Sequence, residues 1–187
     1  MRILTSIFLC AVLFSSCRSH EYYDKLDTEL ASGARYDSLF LDINFGMTQK
    51  EFYAHCWELN KKRQVSNGSN NSSVLYKLDD ELKHPADMNF YPEFYEGKIA
   101  KMPVVISYNA WAPWNEELNA DHLVVDVLAL FKKWYGDDFM TISAENRGTA
   151  YVKIDGNRRI SIYKKNESQV EVLFTDLLIE KELKKNI

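Results

Sequence analysis

From Leu39 to Phe45 apolar and polar side chains tend to alternate: Leu39, Leu41, Ile43 and Phe45 stand against Phe40, Asp42 and Asn44. A period of two predicts a strand. Gly46 breaks it, and Thr48-Gln49-Lys50-Glu51 then spells a capping box, in which Thr48 and Glu51 satisfy each other's backbone N–H groups. The helix this opens runs through Phe52, Cys56 and Leu59 and stops near Lys61-Lys62-Arg63, cations suited to its negative end. Met47 and Phe52 are spaced to staple its entry. A polar loop, Gln64 to Ser73, separates it from strands predicted at Val74–Leu78, Met88–Tyr91 and Met102–Tyr108. Pro85, Pro92 and Pro103 restrict these to short or edge positions.

A second helix begins after Asn119, with Leu123, Val124, Val127, Leu128, Phe131, Trp134 and Tyr135 as a continuous apolar stripe and Gly136 as its stop. Strands follow at Phe139–Ser143, Ala150–Ile154, Arg158–Tyr163 and Gln169–Thr175, with a hairpin at Asp155-Gly156-Asn157. A short amphipathic helix closes the chain, Asp176 to Lys185. Antiparallel hairpins with interspersed helices predict an α+β fold: an antiparallel sheet packed by two main helices. The order also allows two degenerate helix-plus-strands units, although their sequences share negligible identity.

The N-terminus follows a different logic. Arg2 precedes an uncharged apolar run from Ile3 to Phe14, the length of a signal-peptide core and too short to span a bilayer. Leu13-Phe14-Ser15-Ser16-Cys17 follows, two small residues leading into a cysteine. It resembles the lipobox of bacterial lipoproteins, of the looser kind found in Bacteroidota-type envelope proteins. The resemblance implies a signal peptide over 1–16, acylation of Cys17, and anchorage in the cell envelope, at the outer membrane. Residues 17–36 are polar and read as a tether, with a single α+β domain over 37–187.

Composition supports a folded body rather than a disordered one. The 187 residues are 46% hydrophobic and include only 7 Gly and 4 Pro. Loss of residues 1–16 removes Arg2 and no acid, leaving 22 bases against 27 acids. An anionic body favours neither nucleic acid nor an anionic membrane surface, so membrane attachment falls to the lipid. With Cys10 cleaved away and Cys17 acylated, Cys56 has no partner for an intrachain disulfide.

Catalytic signatures are missing: there is no Gly-x-Ser-x-Gly elbow, phosphate-cradling glycine loop or His-Glu-x-x-His. His55 and Cys56 are adjacent on a helix and diverge by about 100°, so Cys56 reads as a buried small hydrophobe. His122 and Asp126 share a helix face but lack further ligands at metal spacing, and His84 with Asp87, Glu93 and Glu96 is no better. Neither a metal nor a cofactor is expected. Aromatic rings beside prolines remain. Tyr91 and Tyr95, and Trp111 and Trp114, stand in segments read as loops, where rings can anchor a protein or stack on a sugar.

Phe45-Gly46-Met47-Thr48-Gln49-Lys50-Glu51-Phe52 resembles the strand-to-helix opening of BamE/SmpA-type envelope domains, small α+β modules that support outer-membrane assembly. The tether, the compact α+β body and the missing catalytic signatures point to a non-enzymatic, lipid-anchored envelope protein that binds another protein or assembly component. A glycan-binding accessory module and an unrecognised hydrolase are the alternatives.

Overall fold

A computed structural model describes residues 20–68, 72–144 and 148–185. Cys17 and the signal segment lie outside the described residues. Four helices surround one antiparallel sheet of nine strands, an α+β fold. The helices are α1 (residues 20–32), α2 (Gln49–Lys61), α3 (Ala120–Tyr135) and α4 (Leu177–Lys185). The strands are β1 (Ser66–Asn67), β2 (Val74–Leu78), β3 (Ala86–Phe90), β4 (Glu93–Tyr95), β5 (Lys98–Tyr108), β6 (Met140–Ala144), β7 (Gly148–Asp155), β8 (Arg158–Lys164) and β9 (Val170–Asp176).

The strand order, β1-β2-β3-β5-β9-β8-β7-β6, reads as two meanders joined back to back, with β4 paired to β5 off this path. Each meander follows its own helix, α2 in the first half and α3 in the second. The seam is the β5–β9 pair, in register from Lys101↔Thr175 to Ile106↔Val170. On one face, Met102, Val104 and Ile106 of β5 and Val170, Val172 and Phe174 of β9 are completely buried, together with Leu123, Val127 and Phe131 of α3. Large rings knit the layers: Phe131 lies 6.0 Å from Phe174, and Phe40 lies 4.9 Å edge-on to Phe90.

Both main helices start as their sequences dictate. The Thr48–Glu51 capping box is complete, and the Asn119 side chain accepts from the N–H groups of Asp121 and His122. Gly136, at φ 97°, ends α3 in a conformation that favours glycine. Glu96 and Gly97, at φ 48° and 75°, form the two-residue turn that folds β4 onto β5.

Four expectations are corrected. Residues 39–45 are not a strand. Leu41 and Asp42 take left-handed φ values of 51° and 58°, and the chain turns back so that Ser38 bridges Asn44. The turn buries Leu39 and the adjacent Phe40 together with Ile43 and Phe45, which strict alternation would have split between two faces.

The segment read as a tether folds over residues 20–32 into α1. Its Tyr22, Leu26 and Leu30, spaced by four, pack against Val152, Ile154 and Leu177 on the second face of the sheet. Polar bonds pin the same region: Glu29 accepts from the Gly156 N–H at 2.8 Å, and Tyr36 N–H donates to Asn157 Oδ1 at 2.7 Å. Gly156 cannot carry a side chain there, since a Cβ would sit 2.2 Å from the Ala34 carbonyl oxygen.

Pro103 does not confine β5 to an edge. The strand runs eleven residues through the middle of the sheet. Pro103 pairs with Leu173 on one side, and on the other it stands between the Phe90↔Val104 and Glu93↔Lys101 pairs, where β3 gives way to β4. A missing donor costs little at such a gap. Phe94 and Tyr95, finally, belong to β4 rather than to a loop.

Candidate functional site

The four aromatic residues singled out in the sequence do not converge. Trp111 is half-buried and packs against the main core, beside Pro113 and Asn119 in a shallow recess. Trp114 is 86% exposed. Tyr95, on β4, lines a separate recess with Arg35, Asp176 and Leu178. Tyr91 alone joins an assembled surface, and its companions come from α2.

That surface is a groove of about 710 Å³ between α2 and the β1–β2 hairpin. Phe52, Val65, Val74 and Cys56 give it an apolar floor, while Tyr53, Trp57 and Tyr91 stand at its rim with Asn60, Asn67 and Ser73. The periodicity of α2 explains the division. Phe52 and Leu59 face the core and are buried, whereas Tyr53 and Trp57, one turn apart, face outward at 48% and 63% exposure. Two large rings at i and i+4 on the polar side of an amphipathic helix are a signal legible in the sequence, although the loop aromatics stand out more strongly there.

The rings are held in place. The Tyr53 and Tyr91 hydroxyls share a hydrogen bond, and Gln49 Nε2 donates to the Tyr53 hydroxyl at 3.1 Å. Phe52 meets Tyr91 edge-on at 6.0 Å. Lys61 lies 5.7 Å from the centre of the Trp57 ring. Rigid aromatics of this kind offer contact area with little entropy left to lose on binding.

The Cys56 thiol on the groove floor is not activated. Burial pushes the Cys56 thiol up to about 11, away from the thiolate a nucleophile requires. His55 turns away from Cys56, and its Nε2–H donates to the Leu41 carbonyl at 2.6 Å.

The other titratable clusters are engaged in structure. Asp126 accepts from the Tyr108 hydroxyl at 2.6 Å and from the Lys83 N–H, and Asp121 pairs with Lys164. His84 stands edge-on to Tyr108, its Nε2 buried 3.4 Å from Glu117 without a hydrogen bond. Lys153, buried on β7, is held by Asp138 and Asp155. Among the described residues no group of three or more His, Cys, Asp or Glu side chains is placed to hold a metal ion, and no helix is long and apolar enough to cross a membrane. No protein family, curated protein or solved structure matches the chain.

Proposed function

We propose that the chain is a lipid-anchored binding protein of a bacterial cell envelope, seated at the outer membrane through Cys17, and that it holds a protein partner in the α2 groove. The observation that carries the binding role is the rigid Tyr53–Trp57–Tyr91 rim over a floor of Phe52, Val65, Val74 and Cys56. An apolar floor suits an inserted apolar side chain, with the polar groups of Asn60, Asn67 and Ser73 kept to its margin. The Gly46-Met47-Thr48 helix start resembles that of BamE/SmpA-type modules, although the strand expected before it is a turn here.

Anchorage rests on Arg2, the Ile3–Phe14 run and Ser15-Ser16-Cys17. Only Arg18 and Ser19 separate Cys17 from residue 20, where α1 begins. Three residue steps reach about 11 Å at most, so an acyl chain on Cys17 would hold the folded body close to the bilayer. Cys17→Ala should release the protein from membranes, and undiminished attachment would defeat the anchor.

The binding role is tested by crosslinking the natively anchored protein in cells. One captured protein should persist in Trp114→Ala and vanish in Trp57→Ala. Equal capture by both variants would defeat the groove as the contact surface. Retention on a glycan array that depends on Trp57 would replace the protein partner with a sugar.

A further inference from the structure

A second cavity, of about 460 Å³, lies between the 38–41 turn, the C-terminal end of α3 and the β2–β3 pair. Its volume falls within the roughly 300–1,000 Å³ usual for small-molecule sites. Leu39, Phe40 and Met88 form its buried apolar base, and Leu41, Tyr76, Trp134 and Tyr135 line the open side. The turn that roofs it is fixed from two sides. Tyr135 donates its hydroxyl proton to the Leu39 carbonyl at 2.7 Å, and His55 donates to the Leu41 carbonyl. Two consecutive non-glycine residues in left-handed conformation, Leu41 and Asp42, are tolerated because these contacts over-determine the turn.

One charged side chain lines the cavity. Arg158 is 7% exposed, and its guanidinium stacks 4.9 Å from the Tyr135 ring centre. Its Nη1 donates to the Ser38 carbonyl at 2.6 Å and its Nη2 to Asp155 Oδ2 at 2.8 Å. Nε is buried without an acceptor. A buried donor left unmet is costly, and an acceptor supplied by a ligand removes that cost. Asp155 already neutralises part of the Arg158 charge, so the site suits a singly charged acceptor better than a dianionic phosphate.

We propose that this cavity binds a small amphipathic carboxylic acid, its apolar tail against Leu41, Tyr76 and Trp134 and its carboxylate accepting from Arg158 Nε. The site shares no lining residue with the α2 groove.

The test is calorimetric titration of the full chain with dodecanoate below its micellar concentration, with dodecan-1-ol as the uncharged control. Dodecanoate should bind, and the alcohol about tenfold more weakly. Trp134 emission should change on binding, and the change should disappear in Trp134→Phe. Arg158→Gln should bring the acid down to the affinity of the alcohol. Arg158 also holds the Ser38 carbonyl, so Leu41→Trp provides a second variant, which fills the cavity from its half-exposed roof. It should weaken dodecanoate at least tenfold while the folded protein melts cooperatively. No binding, equal affinity for acid and alcohol, or affinity unmoved by Leu41→Trp would each overturn the proposal.

Discussion

The two halves of the sheet share a plan and differ in how their helices use it. α3 lies over β8, β9 and the seam strand β5, and buries Ala120, Leu123, Val127, Leu130 and Phe131. α2 buries only Phe52 and Leu59, reaches the sheet through the Tyr91–Phe94 corner, and leaves Tyr53 and Trp57 outside. A helix-plus-meander arrangement is thus tightly packed in one half and open in the other. The packed half supplies cohesion across the seam, and the open half leaves apolar surface exposed. A protein that must be stable and also sticky can divide the two demands in this way.

Substitutions can break this division, beginning with the largest effect. Phe131→Ala removes a completely buried ring from the α3–β9 contact and should cost about 3–5 kcal/mol in urea unfolding. Trp57→Ala in the open half should change stability by no more than about 0.5 kcal/mol. Its effect should appear in partner affinity instead, as a loss of about 2 kcal/mol or more. A Trp57→Ala protein as unstable as Phe131→Ala would show that the halves do not differ in this sense.

Thr48→Ala removes the capping box of α2 and should cost about 1 kcal/mol, read in the same unfolding curves. Because so little of α2 is buried, amide exchange should rise along that helix first and leave α3 protected.

The smallest effect concerns α1. The Lys25 side chain, and then the Gly156 N–H, hold the Glu29 carboxyl below its ordinary value of 4.5. A lowered folded value means the contribution is complete above about pH 4.5 and is lost as pH falls through the folded value. Exchange in residues 20–32 should therefore quicken on acidification. Glu29→Gln should remove that pH dependence while Gly156 keeps an acceptor.

The elements that could be read in advance are those whose instructions are local. Thr48 and Glu51 stand three residues apart, Asn119 caps the next two amides, and β2 matches its expected span, Val74–Leu78. Such interactions operate within one turn of helix or across one hairpin, so the sequence carries them whole. Among the candidate site residues only Tyr91 reached the groove, because whether two rings meet depends on which strands and helices are brought together.

By itself, then, the amino-acid sequence determined the α+β class, the starts of α2 and α3 and the hairpins of the second meander, whereas Cys56, expected to be buried, is only partly so and lines the groove. Only the tertiary structure decided that residues 20–32 dock on β7, that residues 39–45 turn back, that Pro103 sits mid-sheet and that Tyr53, Trp57 and Tyr91 share a rim. The reason is the range of the forces. Caps and turns are settled by neighbours within a few residues, whereas the burial of Tyr22 or the bond from Tyr36 to Asn157 depends on partners more than a hundred residues away.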